Sequence, residues 1–316
     1  MAVMITGGSG YIGSHVARLL GSDSIIIDDL SAGKASRVDG LVSETVDISS
    51  HNSPQILTAI MQKHGVEAVV HLAARKSVPE SVERPEWYYE QNVGGMANLL
   101  TAMHQARVMK LVFSSSAAAY GMPTVGLVDE EVRCAPINPY GETKLIGEWM
   151  AANAERAWGL KHVNLRYFNV AGAGWPDLAD TAVANLIPIV FAAIKAGEKP
   201  KVFGDSYATP DGTCIRDYVH VLDLAKAHVA ALDYLDRPVR PHATFNVGTG
   251  QGSSVFEVLD EIRRVTGQNF EAEVLPARAG DPPALSANVS RIRETLGWAS
   301  DKNLTDIVSS AWAAIN

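Results

Sequence analysis

The sequence predicts an α/β protein built on a doubly wound parallel sheet, followed by a smaller α/β region. Three observations carry this reading. Short apolar, β-branched runs alternate with longer segments of helical period through the first half of the chain, the pattern of successive βαβ units. The first run leads straight into a glycine-rich turn, Gly7 to Gly13, and the second ends on an acid, Asp28. After about Asn169 the alternation gives way to irregular spacing, with Gly/Pro/Asp-rich loops at 172–180 and 204–212.

Taken in order, strands are predicted at 3–6, 24–28, 68–72, 110–114 and 162–167, with a weaker one at 41–46, because these runs concentrate Val, Ile and aromatic residues. Helices are predicted at 11–20, directly after the glycines, and at 54–64, 86–107 and 140–158, where Pro54 and Pro139 suit a first turn. Right-handed crossovers then give the doubly wound sheet. The later region is read as helices at 185–196, 221–235 and 254–265 with strands at 201–203, 243–247 and 271–275. The expected division is 1–169 as a dinucleotide-binding domain and 170–316 as a second region, with segments near 214–248 free to return to the first sheet.

The 316 residues are 47% hydrophobic, 20% charged and 7% aromatic, the profile of a globular protein and not of a disordered or collagen-like chain. With 27 basic and 35 acidic residues the formal charge is −8, so no general positive field exists to hold nucleic acid or an anionic membrane. Any phosphate must be gripped locally. Cys134 and Cys214 stand far apart without a CxxC or Cys/His cluster, so neither a metal site nor a disulfide framework is expected. The chain enters its first strand without a signal-peptide pattern, and no uncharged run approaches the ~18 residues of a membrane span. An intracellular protein of the reducing cytoplasm is expected.

The glycines of Gly7-Gly8-Ser9-Gly10-Tyr11-Ile12-Gly13 satisfy GxGxxG from Gly8 and GxxGxxG from Gly7. Between a strand and a helix they permit a tight turn and close approach of a pyrophosphate to the positive end of that helix. Asp28, about 20 residues on, can accept bonds from adenosine ribose hydroxyls, as in Rossmann folds. Its charge, with that of Asp29, disfavours a 2′-phosphate, so NAD is expected rather than NADP. Asp47, after the third strand, reads equally as an adenine contact or a solvated loop residue.

Tyr140-Gly-Glu-Thr-Lys144 places a phenol and an ammonium four residues apart, on one face of a helix. The ammonium, with an oxidised nicotinamide, is expected to lower the Tyr140 pKa so that the phenolate takes a proton from a substrate hydroxyl as hydride leaves carbon. Of Ser114-Ser115-Ser116, the first is expected in the strand and the others on its exit, and Ser116 is the hydroxyl expected to bridge phenol and sugar.

Six segments together give a resemblance. They are 7–15, 71–74, 114–116, 139–144, Leu165-Arg-Tyr-Phe-Asn169 and Asp211-Gly-Thr-Cys-Ile-Arg-Asp-Tyr-Val-His-Val221. The sequence resembles the extended short-chain dehydrogenase/reductase family, in its branch of UDP-sugar 4-epimerases, over nearly its whole length. The resemblance implies firmly bound NAD, a UDP-sugar substrate, a homodimer, and a redox-neutral reaction through a 4-ketose. It implies Tyr140 as base, Ser116 as its hydroxyl partner and Lys144 as the residue that orients the nicotinamide ribose. The cofactor side then takes in Gly7, Gly10, Tyr11, Ile12, Gly13, Asp28, Asp29, Asp47, Ile48, Leu72, Ala73, Lys76, Asn92, Ser114 and Tyr167. For the substrate it implies Lys76 and the amides Asn169 and Asn185 with Leu186. Arg216 and Arg278 would hold phosphate, Asp281 the uridine ribose, and Val202 and Phe203 the uracil, with Leu285 near the sugar.

Departures from the family pattern bear on substrate range. Ala118 replaces a frequent threonine, and Leu285 stands where relatives carry a tyrosine or a small residue, which leaves N-acetylhexosamines open. Arg75 beside Lys76 reads either as a surface cation or as a partner for a C6 carboxylate. A dehydratase would need an Asp-Glu pair where Ser116-Ala-Ala-Ala-Tyr120 stands. A silent NAD-binding sensor would have no need of Tyr140, Lys144 and a uridine diphosphate site together.

Overall fold

The fold rests on strands buried along their whole length. Val3–Thr6, Ser24–Asp28 and Ala68–His71 are buried at every position, which is why they read as continuous apolar runs rather than alternating ones. The structure, a computed structural model, describes residues 1–278 and 280–316. Its elements begin β1 (Val3–Thr6), α1 (Tyr11–Leu20), β2 (Ser24–Asp28), β3 (Val42–Thr45), α2 (Ser53–Lys63), β4 (Ala68–His71), α3 (Val78–Glu83) and α4 (Pro85–Tyr88). A π-helical stretch (Tyr89–Gly94) leads to α5 (Gly95–Ala106), β5 (Lys110–Ser116), β6 (Leu127–Val128), α6 (Pro139–Trp158), β7 (Lys161–Tyr167), β8 (Asn169–Ala171) and α7 (Leu186–Ala196). Then come β9 (Lys201–Phe203), β10 (Ile215–His220), α8 (Val221–Leu235), β11 (Thr244–Val247), β12 (Gly252–Ser254) and α9 (Val255–Thr266). The chain finishes with β13 (Glu273–Leu275), β14 (Ala284–Ala287), α10 (Ser290–Leu296) and α11 (Leu304–Ala313).

Seven strands form the main sheet in the order β11-β7-β5-β4-β1-β2-β3, and the pairings from β5 through β3 are parallel. The strand order reverses between β1 and β4, the switch point beyond whose carboxyl ends doubly wound sheets bind ligands. Met4, Ile27, Val69 and Leu111 of the sheet share one core with Leu57 of α2, Leu99 of α5 and Ala151 of α6. Each fully buried aliphatic there contributes about 1.5–3 kcal/mol.

The chain divides into two compact units. One comprises Met1–Gly121, Cys134–Arg166 and Ala225–Phe245; the other comprises Met122–Arg133, Tyr167–Leu224 and Asn246–Asn316. A single cut at 169 is therefore replaced by an interleaved division. Met122–Arg133 sorts with the second unit because β6 pairs with β14 there. The segment that returns to the first unit is Ala225–Phe245, inside the 214–248 window. In the second unit β10 pairs with β8, β12 and β14, β9 pairs with β13, and α7, α9 and α11 share a core with Val202 and Tyr218.

Two expected elements change. The helix expected at 86–107 is α4, the π-helical stretch and α5, ending at Arg107 in a left-handed conformation (φ 60°). The strand expected at 110–114 runs on to Ser116, so all three serines lie in β5 before a 3-10 turn at Ala117–Tyr120. Burial of every residue from Leu111 to Ser116 continues the sheet environment past the last apolar side chain.

Candidate active site

The glycine turn is a space that only glycine fills. Gly7 has φ +72°, and a Cβ there would stand 2.7 Å from the Ala73 backbone nitrogen; one on Gly13 would stand 2.2 Å from the Gly7 carbonyl oxygen. The turn can close this tightly because no side chain intervenes. Gly10 caps helix α1 with no side-chain hydrogen bond, and the first turn holds no acid, so none of the helix's own side chains competes for its positive end. Tyr11 is buried and Ile12 half-buried in that turn. Asp28 closes β2, where Ser9 N (3.0 Å) and Leu30 N (2.9 Å) donate to its two oxygens. Burial pushes its carboxyl up against those bonds. This cradle, with an oriented strand-end acid beside it, fits a dinucleotide.

At the other end of the crossover, Tyr140 and Lys144 lie in the first turns of α6. Asn138 caps that helix by accepting from Gly141 N (2.9 Å), and Pro139 opens it. A Cβ on Gly141 would stand 2.6 Å from the Ala118 carbonyl, so the helix start is seated against the turn after β5. The Ser116 hydroxyl draws the Tyr140 phenol down in pKa and accepts from Ala118 N (3.1 Å). Lys144 is 3% exposed, its Nζ donates to the Ser114 carbonyl (2.8 Å), and burial brings its pKa down to about 8. The structure thus brings together Ser114, Ser116, Tyr140 and Lys144.

The expected lowering of the Tyr140 pKa is not what the protein alone produces. Burial pushes the phenol up, and the Ser116 hydroxyl acts the other way. The Lys144 ammonium lies 5.9 Å from the ring centroid and is directed to a carbonyl, which explains the difference. Close by, Thr6 Oγ1 and His71 Nδ1 hydrogen-bond at 2.6 Å, and His71 stacks on Phe113. Burial, then the Lys144 charge, holds its pKa down at about 3.

Residues that sequence reasoning missed hold this site in place. Glu148, one turn beyond Lys144, accepts from Ser115 Oγ and forms a two-pronged pair with Arg166 of β7 (2.8 and 2.6 Å), both side chains under a tenth exposed. This pair fastens the helix carrying Tyr140 to two strands. Its signal lies in the sequence, since positions 140, 144 and 148 repeat along one helix face. Ser114 Oγ meets His228 Nε2 at 2.7 Å, a contact across 114 positions that no local pattern announces.

The remaining cofactor-side residues divide by what they touch. Leu72 and Ala73 are half-buried beside Gly7, Ile48 is buried in the core, Lys76 is exposed and Tyr167 half-buried. Asp47 folds back on Ser49, accepting from its N (2.8 Å) and Oγ (2.7 Å). Asn92 is fully engaged: its amide bonds Arg75 N (2.8 Å), Arg75 O (3.0 Å) and Thr143 Oγ1 (3.0 Å). Arg75 pairs with Asp29 at 2.9 Å, so its charge is committed inside the protein and the C6-carboxylate reading keeps Lys76 alone.

In the second unit Arg216 and Leu285 are register partners on β10 and β14. Arg216 donates to the Pro282 carbonyl (2.8 Å) and pairs with Asp281 (3.3 Å). The Arg278 guanidinium lies 3.7 Å from the centroid of half-buried Phe203. Val202 is buried in the core of this unit, Asn169 and Asn185 are exposed, and Leu186 is half-buried at the start of α7. Asp211 ties its own loop, accepting from Thr213 and Ser254. Among the described residues no group of His, Cys, Asp and Glu could hold a metal ion, and no helix is long and apolar enough to cross a membrane.

A buried phenol with a hydroxyl partner and a nearby ammonium, on the same sheet as a dinucleotide cradle, is the working arrangement of the short-chain dehydrogenase/reductase class. Residues 3–248 match the NAD dependent epimerase/dehydratase family, and the chain belongs to it. It is 42% identical over 320 residues to a UDP-glucose 4-epimerase of Halalkalibacterium halodurans, covering 99% of this chain and 95% of that one. A crystal structure of a UDP-glucose 4-epimerase from Brucella ovis in complex with NAD superposes with a TM-score of 0.93 at 42% identity, covering 98% and 96% of the two chains. One from Stenotrophomonas maltophila with bound NAD and formylated UDP-arabinopyranose gives 0.91 at 40% identity, covering 99% and 97%.

Proposed function

We propose that this chain is an isomerase that inverts C4 of a UDP-hexose, interconverting UDP-glucose and UDP-galactose through a transient 4-keto sugar with NAD as cofactor. The observation that carries it is the Ser116–Tyr140–Lys144 cluster, built into the same unit as the glycine cradle and Asp28. When bound, NAD supplies the hydride acceptor and returns the hydride. Gly7 to Gly13 and the start of α1 hold its pyrophosphate, and Asp28 orients the adenosine ribose. Tyr140 removes the C4 hydroxyl proton and later gives it back. Ser116 holds the phenol and draws its pKa down, and Lys144, mostly protonated at pH 7 with a pKa of about 8, supplies positive charge to the phenolate.

Arg216, Arg278 and Asp281, with Asn169, Asn185 and Phe203, take the nucleotide part of the substrate. Holding UDP firmly lets the keto sugar turn over without leaving. Leu285, facing Arg216 in register, sets the tolerance for an N-acetyl group. The enzyme serves galactose metabolism in a reducing cytoplasm, which suits its two free thiols. It works as a homodimer through the helices of 86–107 and α6, where Trp149 is 57% exposed.

The test is a substrate panel of UDP-glucose, UDP-galactose, their N-acetyl forms and their uronic acids, with products resolved by NMR and no reductant added. Turnover of the first pair is expected; failure on both with NAD fully bound overturns the reading. Tyr140→Phe is expected to remove at least about a hundredfold of kcat while UDP-sugar binding persists.

A further inference from the structure

Arg75 is bonded more heavily than an ordinary ion pair requires. Its backbone is pinned on both sides, Arg75 N donating to the Asn92 side chain and Arg75 O accepting from it. Its guanidinium donates to Asp29 Oδ2 (2.9 Å), Ser31 Oγ (2.6 Å) and Gln91 Oε1 (3.2 and 3.1 Å), and lies 5.0 Å from the Trp87 ring centroid. The side chain is only 23% exposed. Gln91 in turn donates to Ser49 Oγ (2.7 Å), so one residue gathers the exits of β2 and β4, the loop after β3, and the π-helical stretch.

The sheet order makes this a bridge. Arg75 follows β4, Asp29 follows β2, and β1 lies between those two strands. The Arg75–Asp29 pair therefore spans the carboxyl end of β1, from which the chain enters the glycine turn, on the side where Asp28 receives the adenosine ribose. We propose that Arg75 and Asp29 form a clasp across the adenosine half of the dinucleotide site, and that its opening sets the rate at which NAD leaves. A reaction that returns its hydride to the same NAD gains nothing from cofactor exchange, so a closed site costs it no turnover. The proposal rests on the NAD reading above. Arg75 touches no reacting atom and acts as a positioning residue for retention.

The experiment measures NAD release from purified holoenzyme, with freed NAD captured by an alcohol dehydrogenase that reports it as NADH fluorescence. Arg75→Gln is expected to release NAD about tenfold faster, the equivalent of about 1.4 kcal/mol. Arg75→Lys, which keeps a charge for Asp29 without the fork that reaches Ser31 and Gln91, is expected to fall between. Wild-type release should accelerate as salt rises and the screening length falls from about 10 to about 3 Å, and more steeply than release from Arg75→Gln. If Arg75→Gln does not fold, Asp29→Asn breaks the clasp from its other end, with the same acceleration expected. NAD bound in the wild type but released at equal rates by the folded variants, or equal salt slopes, overturns the clasp alone. A wild type that neither carries nor takes up NAD overturns the underlying reading and the clasp with it.

Discussion

Lys144→Met separates the contribution of this ammonium to chemistry from its cost to stability. Burial lowers the Lys144 pKa from 10.5 to about 8, which at about 1.4 kcal/mol per tenfold penalises the buried ammonium by about 3 kcal/mol. Methionine matches the stem in length and carries no charge, but it gives up the hydrogen bond to the Ser114 carbonyl, worth about 1.5–3 kcal/mol when charged. The balance at pH 7 is a variant as stable as the wild type or more stable by about 1–2 kcal/mol, with kcat reduced at least about a hundredfold. The pH dependence is the sharper test. Below pH 8 folded and unfolded wild type both hold the proton, and the penalty stands in full. Between pH 8 and 10.5 the unfolded chain still holds it while the folded one has lost it, so wild-type stability rises with pH relative to the variant. Urea unfolding of both NAD-stripped proteins, from pH 7 to 10, should show the stability difference moving in favour of the wild type. A variant destabilised at pH 7 by an amount that stays constant to pH 10 would refute the reasoning.

Ser116→Ala removes the hydroxyl that draws the Tyr140 phenol down, so the pH–rate profile should move to higher pH and kcat at pH 7 should fall about tenfold to a hundredfold; an unmoved profile would discount the hydroxyl. Gly13→Ala puts a methyl 2.2 Å from the Gly7 carbonyl oxygen and 2.7 Å from Gly8 Cα, backbone atoms that cannot swing aside. It should purify without NAD, read from its absorbance ratio, while keeping its circular dichroism.

What could be read from the sequence was whatever a local rule determines. The first strand, the glycine turn, α1 and the acid ending β2 follow from glycine geometry and β-branched runs within thirty residues, and YxxxK follows from helix spacing. What escaped depends on pairing at a distance or on structure without a composition signal. The π-helical stretch, Tyr-Glu-Gln-Asn-Val-Gly, holds no proline or other break that would set it apart from α4 and α5. The strand Ile215–His220 carries Arg216, Asp217 and His220 in a segment that reads first as a binding motif, and β6 is two residues long, recognisable only by its partner β14. Arg75 looked like a spare surface cation because Asp29 lies 46 positions away. Asn92, expected beside the cofactor, also holds the Arg75 backbone.

The same burial acts on two bases in this site and leaves them in opposite states at pH 7. His71 begins at 6.5 and is held at about 3 by burial and by the Lys144 charge, so it is neutral throughout the physiological range. Lys144 begins at 10.5 and reaches about 8, so it keeps its proton. Had His71 also been charged, the repulsion would have driven Lys144 lower still and removed the cation that lies 5.9 Å from the Tyr140 ring centroid. The four-unit gap between the ordinary pKa values of imidazole and ammonium is what lets one apolar environment deliver a single positive charge. An arginine at position 144 would keep its charge more securely, but its planar fork does not suit the single carbonyl that Lys144 Nζ meets at 2.8 Å. Lysine is therefore the residue that this geometry and this pH range both select.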